Sequence, residues 1–191
     1  MTIEKSSSLT VTHQGKESRV IVTACIVCAA FDEAAPPNPL PVMHSFPAIW
    51  DTGATNSVIT KQVIDSCALV PTGVKPVRGV HGEKLSETYL VNIALPNGVS
   101  KPGLEVTRGD MPDGSPILIG MDIINMGDFS ITNLNGHTVM SFRVPSCHEV
   151  DFVDIFNAHT KKMNYMAAHG VKQKSDGNPG YKKRQGKKRR R

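Results

Sequence analysis

A carboxylate where an apolar run meets a glycine turn is the feature of this sequence best suited to chemistry. Asp51 follows Ala48-Ile-Trp50 and precedes Thr52, Gly53, Ala54, Thr55, Asn56 and Ser57. A second apolar run, Ile117-Leu-Ile-Gly120, ends 69 residues after Asp51. Between them lies a strand–turn–strand pattern with the tip Arg78-Gly-Val-His-Gly-Glu83. A turn carboxylate has two readings. It can accept a hydrogen bond from its own backbone two residues on, as an Asx turn, or it can move protons. Hydrolysing an unactivated amide with carboxyl groups alone takes one acid and one base. Two carboxyl groups a few ångströms apart cannot both ionise, so they share a proton and their pKa values split. One chain places one carboxylate in this setting, so the other has to come from a second copy about a two-fold axis.

Other chemistries have weaker support. Cys25-Ile-Val-Cys28 has the form of a redox or half-metal motif, but no second pair follows at zinc-site spacing. Residues 19–29 read as a strand, in which positions three apart point to opposite faces. Two buried, reduced thiols are the favoured reading. The seven histidines (13, 44, 81, 137, 148, 159 and 169) show no metal-ligand spacing. The expectation is therefore no metal and no cofactor. Asp122 reads as the N-cap of a short helix rather than as a second catalytic acid.

The elements that must position Asp51 are short strands. Leu9–His13 alternates, Gln14–Glu17 breaks the pattern, and Arg19–Ala29 is apolar and β-branched, which reads as a hairpin. Five prolines in 32–47 imply a surface loop. Val58-Ile-Thr60 reads as a strand, and Lys61–Leu69 as a brief helix capped by Thr60. Val74–Val80 and Leu85–Leu95 alternate about the Gly79–Gly82 turn. Asn133-Leu-Asn-Gly136 joins two further strands. Many short strands with Gly/Pro turns and little helix argue for a β barrel or sandwich.

The run Ile49-Trp-Asp-Thr-Gly-Ala54, the later Leu118-Ile-Gly120 and a glycine-bearing hairpin at about 77–88 together resemble the retropepsin-like aspartic proteases. That family comprises retroviral proteases and their bacterial and cellular relatives. The resemblance spans roughly residues 9–144. Pepsin-like enzymes carry two Asp-Thr-Gly motifs in a chain of twice the size; this chain carries one, as single-lobe retropepsins do. The resemblance implies an all-β fold, a closed acid-protease barrel with one short helix, functional as a homodimer. It implies an aspartic endopeptidase whose catalytic residues are Asp51, Thr52 and Gly53. Asp51 of each copy would activate water. The Thr52 hydroxyl would bond across the dimer axis. Gly53 would let substrate backbone approach without a Cβ in the way. Substrate-binding residues would be Ala54, the flap residues Gly79, Val80, His81 and Gly82, and Ile119 with Gly120. Ile117 is expected in the core. Ala54 has no hydroxyl to stabilise the charged carboxylate, so the expected pH optimum is less acidic than a pepsin's, about 5–6.5.

Two departures stand out. Trp50 is bulkier than the small aliphatic residue usual before the aspartate, and a ring facing the cleft or the dimer axis would narrow the site. The proline-rich loop lengthens the approach to the catalytic strand. The alternative reading is a catalytically inactive dimerisation or peptide-binding module on the same fold.

Charge is divided along the chain. Residues 160–191 hold twelve of the 22 Lys/Arg and one of the 17 acids, leaving residues 1–159 with ten and sixteen. The expected organisation is a protease domain over 1–145, a helical extension over 146–170 and a disordered basic tail over 171–191. The run at 182–191 suits nonspecific contact with nucleic acid or an anionic surface, and equally a solvated tail. Few aromatics accompany it, so base stacking is poorly supported. No apolar run of eighteen residues exists, so no transmembrane segment is expected. The N-terminus lacks an apolar signal core, and a cytoplasmic location is expected. Expected partners are a second copy of the chain and a peptide or protein substrate.

Overall fold

A computed structural model describes residues 7–15, 17–79, 82–111 and 114–170. The basic tail expected to be disordered lies outside these residues, as do Val80 and His81. The elements in chain order are β1 (Ser7–His13), β2 (Val22–Ala29), β3 (His44–Trp50), β4 (Val58–Ile59), α1 (Lys61–Ser66), β5 (Gly73–Gly79), β6 (Gly82–Ala94), β7 (Ser100–Arg108), β8 (Ile117–Ile119), α2 (Met121–Ile124), β9 (Asp128–Thr132), β10 (Thr138–Val144) and α3 (Phe152–Ala168). Two compact units divide between His148 and Glu149.

The first unit holds every strand. Strands β2, β3, β8, β4, β7 and β6 neighbour one another in that order, and β6 pairs back on β2, closing a ring. Strand β5 extends the sheet from β6. Two pairings, β3 with β8 and β4 with β7, are parallel. Side chains alternate across a strand, so β2 turns Thr23, Cys25 and Val27 inward and Val22, Ala24 and Ile26 outward. Val27, Ala48, Ile59, Val91, Val106 and Ile117, one from each strand of the ring, are fully buried. Burying each large aliphatic side chain contributes about 1.5–3 kcal/mol.

A second sheet, β1-β10-β9, packs on this core through aromatic rings. Trp50 stacks on Phe129 at 5.6 Å between centroids and meets Phe142 at 5.1 Å. The second unit contains α3. The N-cap of this helix, Asp151, accepts from the Val153 and Asp154 backbone N–H groups at 2.7 and 3.2 Å, the expected pairing for an N-cap carboxylate. None of the helix residues is buried.

The structure corrects several local expectations. Strand β1 does not form a hairpin with β2; it pairs antiparallel with β10, setting Leu9 against Phe142 and Val11 against Met140. Both β10 residues are fully buried, so the distant pairing buries apolar surface that a local hairpin would leave in water. The proline-rich loop ends earlier than expected, since His44–Pro47 belong to β3. Pro47 is tolerated because β8 pairs with β3 only from Ala48 onward, and a missing N–H matters least on an open strand edge. Strand β7 has no counterpart among the expected elements. Its Lys101-Pro-Gly103 segment continues a ladder whose irregularity at Val91–Ile93 is bridged by Asn92. The Asn92 side-chain oxygen accepts from Gly103 N–H at 2.8 Å. Thr60 stands at the N-cap of α1, but its hydroxyl makes no capping bond.

Among the described residues, no helix is long and apolar enough to cross a membrane.

Candidate active site

The turn carrying Asp51 is held from three sides. Strand β3 enters the barrel with Trp50 N–H donating to Ile21 O at 3.0 Å. Asp51 N–H then donates to Ile119 O at 2.9 Å. The parallel register opposes Ala48 to Ile117 and Trp50 to Ile119. Both apolar motifs therefore end side by side, and Gly120 meets the Asp51 turn. Met121 N–H donates to Ala54 O at 2.8 Å. A Cβ on Gly120 would lie 2.6 Å from the Asn56 carbonyl carbon and 2.9 Å from Ala54 O. Glycine is required there by close backbone approach.

A buried polar link completes the junction. Ser57 is fully buried. Its N–H and hydroxyl each donate to the Asp122 carboxylate at 2.7 Å, and its hydroxyl oxygen accepts from Gly120 N–H at 3.1 Å. Asp122 is thus not the N-cap of α2; Gly120 holds that position, with no side-chain cap bond. The carboxylate reaches across the fold instead, because the Ser57 donors are sealed from water while the first-turn N–H groups have other options. Ser57 has no role in the sequence reading. Its only signal there is its place six residues after Asp51, with Asp122 two residues after Gly120.

Asp51 itself is half-buried. Its Oδ1 accepts from Gly53 N–H at 2.8 Å, and a Cβ on Gly53 would approach that oxygen to 3.1 Å. Among the described residues Oδ2 accepts no hydrogen bond. The Gly53 contact has the i to i+2 form of an Asx turn, and it occupies one of the two carboxylate oxygens. Thr52 and Gly53 are exposed, and Ala54 is half-buried.

Trp50, the larger departure, faces away from this turn. It is buried, its Nε1–H donates to Thr23 Oγ1 at 2.9 Å, and its ring sits between Phe129 and Phe142. Ile119, a candidate subsite residue, is fully buried in the protomer, as is Ile117. Gly120 is buried as well and serves the junction.

The flap candidates sit apart from Asp51 along the chain, in the β5–β6 hairpin. Its ladder runs from Gly73 opposite Thr88 to Gly79 opposite Gly82. Gly82 has φ +105°, a conformation that favours glycine. A cleft of about 660 Å³ lies along this hairpin, lined by Val58, Val77, Gly82–Glu87 and Thr107–Asp110. Among the described residues Gly82 is the one site candidate on its wall; Asp51 does not line it. Gly109 closes its base tightly, since a Cβ there would meet Val58 Cγ1 at 2.6 Å. On the same wall Glu87 accepts from Tyr89 OH at 2.9 Å and from Arg108 Nη1 at 3.2 Å. These two bonds, Tyr89 first, hold the Glu87 carboxyl below its ordinary range.

The thiols form no reactive centre. Cys25, Cys28 and Cys67 are buried and unbridged. Burial, with a neighbouring thiol second, pushes Cys25 up to about 12 and Cys67 to about 11. Among the described residues no group of three or more His, Cys, Asp or Glu is placed to hold a metal ion.

No family model matches the sequence, and no curated protein matches it. Solved structures do. The chain is similar to a retropepsin-like aspartic protease from Rickettsia conorii at 14% identity, over 73% of this chain and 96% of that one, with TM-score 0.46. It is similar to the EIAV protease complexed with the inhibitor HBY-793 at 19% identity, over 60% and 91%, with TM-score 0.40. It is also similar to the retroviral protease-like domain of Ddi1 from Leishmania major at 15% identity, over 71% and 100%, with TM-score 0.36. These are remote likenesses. The chemistry open to Asp51 is decided by its own surroundings.

Proposed function

We propose that this chain is an aspartic endopeptidase that works as a homodimer, with Asp51 of each copy forming one half of the catalytic pair. The supporting observation is the Asp51 turn itself. The turn that carries this half-buried carboxylate is held by Asp51 N–H on Ile119 O, by Met121 N–H on Ala54 O and, beside them, by the buried Ser57–Asp122 link. Fixed groups cost no reorganisation when charge moves, which is what acid–base work requires.

In the proposed mechanism the two Asp51 carboxyl groups share one proton across a two-fold axis. The ionised group takes a proton from water, and the protonated group polarises the substrate carbonyl. Gly53 N–H steadies Oδ1 of the charged form, leaving Oδ2 to face water. Thr52, exposed beside it, is the proposed bridge between the two turns. Ala54 lines the same turn. The β5–β6 hairpin, with Gly79 and Gly82, is the proposed flap that closes over the peptide, and Val80 and His81 are proposed to belong to it by their place in the sequence. The packing of the Trp50 ring between Phe129 and Phe142 within the protomer supports this reading. The protease domain is proposed to span 1–145, with 146–170 as an extension and 171–191 as a polyanion-contacting tail.

Asp51→Asn tests the proposal. Wild-type chain should cleave an unfolded protein at about pH 5–6.5, and a pepstatin-type transition-state mimic should block it. The variant should dimerise and cleave nothing. A dimeric wild type inert across about pH 4–7 refutes the enzyme reading. The Gly53 N–H to Oδ1 bond, an Asx-turn contact, favours the second reading in that event: a binding module whose aspartate only shapes its turn.

A further inference from the structure

Strand pairing fixes which side chains share a face of the β5–β6 hairpin and of the strands beside it. Residues opposed across a ladder point the same way, and so do residues two apart on one strand. Val77 opposes Lys84, and Lys75 opposes Ser86. Thr88 opposes Thr107, which in turn opposes Val58 of β4. Val58, Thr107, Ser86, Lys84 and Val77 therefore stand on one face, and all five line the cleft of about 660 Å³. The opposite face carries Glu83, Glu87 and Arg108 and continues into the buried Tyr89 and Val106.

The two faces differ in charge. Glu83 and Glu87 also border the cleft, but each is paired on its own face, with Arg78 at 3.6 Å and with Arg108 at 3.2 Å. On the first face Lys75 is paired with Glu105. Lys84 is exposed, and among the described residues it makes no ion pair and no hydrogen bond. Asp110 borders the cleft from the loop after β7 and makes no ion pair with Lys84.

We propose that Lys84 is a specificity-determining residue: the cleft takes an acidic side chain, glutamate above all, of a peptide lying beneath the hairpin, and Lys84 Nζ reads its carboxylate. The proposal rests on the reading of this hairpin as a flap over a peptide substrate. The chemistry of the face fits that occupant. Val58 and Val77, both half-buried, offer aliphatic surface to a methylene stem, and glutamate has one methylene more than aspartate. The Ser86 and Thr107 hydroxyls can donate to an oxygen. The lysine ammonium is a point charge on a flexible stem, so it meets a carboxylate without a fixed angle of approach. A basic side chain in the same place would face Lys84 with like charge. Closure of the hairpin removes water, and the attraction between opposite charges grows as the local dielectric falls.

The test separates binding from cleavage. It uses the full-length Asp51→Asn chain, which removes cleavage whatever the chemistry of the wild type. A short fluorescent peptide of neutral residues carries a single Glu at each position in turn and is titrated beside the matched Gln and Lys peptides, with anisotropy as the readout. At one position Glu should bind about two- to fivefold tighter than Gln, the range of a partly solvated ion pair, and Lys should bind more weakly than Gln. Added salt should narrow the difference. Lys84→Met in the same chain should bring the Glu and Gln constants together, and Lys84→Glu should reverse the order in favour of Lys. The ratio between matched peptides does not change when a variant merely folds less completely. Asp110→Asn should keep the Glu preference. Equal binding of Glu and Gln at every position, or a Glu preference that survives Lys84→Met, overturns the proposal and leaves the endopeptidase reading standing. Binding of no peptide at all overturns it as well. A wild type that cleaves nothing, beside an Asp51→Asn chain that shows the Lys84-dependent preference, refutes the catalytic reading alone.

Discussion

Replacing Asp122 by alanine probes the link between the two motifs most directly. Asp122 accepts two hydrogen bonds of 2.7 Å from Ser57, and Ser57 has no exposed surface. Hydrogen bonds to a charged group contribute about 1.5–3 kcal/mol each, and buried donors left unpaired cost about 1–3 kcal/mol each. These figures describe the same two contacts from two sides and do not add. Asp122 is itself half-buried, so water can reach part of the vacated space. The expected loss is about 2–4 kcal/mol, a large share of the 5–15 kcal/mol typical of a domain. With a urea dependence of about 1–3 kcal/mol per molar, the unfolding midpoint should fall by roughly 1–3 M. Asp122→Asn keeps one acceptor oxygen for Ser57 N–H and should lose about half as much. The assay is urea unfolding followed by circular dichroism, at one protein concentration because dimerisation contributes to stability. A midpoint for Asp122→Ala within about 0.2 M of wild type, at unchanged slope, would show that Ser57 and Asp122 do not hold the site together.

Further outcomes are expected elsewhere. Trp50→Ala should cost about 3–5 kcal/mol through the cavity it opens between Phe129 and Phe142; Trp50→Phe should cost about 1–2 kcal/mol, chiefly the bond to Thr23. Denaturant titration checks both, and equal losses for the two would count against the stacking account. Asp128 is held well below the usual carboxylate range by Arg143 first, then Ser146 and the Cys147 N–H. Its folded pKa lies under its unfolded value of about 3.9, so its stabilisation is complete above that pH and lost as pH falls further. Stability measured between about pH 5 and 2 should therefore fall more steeply in wild type than in Asp128→Asn; parallel curves would refute the assignment. In the folded protein at about pH 8 a thiol reagent should label Cys147 and spare Cys25, Cys28 and Cys67, whose burial keeps them protonated. Mass spectrometry of the labelled chain reads the result, and fast modification of Cys25 would contradict the buried assignment.

Local chemistry made several elements readable. The apolar run into Asp51, the apolar Ile117–Ile119 segment, the β5–β6 alternation and the Asn133–Gly136 turn all stand where their residues imply. Each depends on neighbours a few positions away: side-chain alternation, or a glycine that permits a turn. The partner of β1 was not readable, because the hairpin rule weighs short loops and cannot see that Met140, 129 residues on from Val11, and Phe142, 133 residues on from Leu9, offer a better surface. Strand β7 is absent from the expected elements; Pro102 and Gly103 are poor strand residues, and the distant Asn92 supports the ladder there. Asp122 reads as a cap because a cap is the nearest use for an aspartate at a helix start.

The sequence by itself settled that one carboxylate, Asp51, stands between an apolar strand and a glycine turn. It also settled that a second apolar–glycine motif follows at domain distance. Only the tertiary structure decided what those motifs do to each other. The parallel register of β3 and β8 brings Gly120 against the Asp51 turn, and the burial of Ser57 recruits Asp122 to seal the contact. Trp50 turns inward because its ring finds Phe129 and Phe142 there. These outcomes arise from burial shared among residues far apart in the chain, and burial is a property of the folded whole.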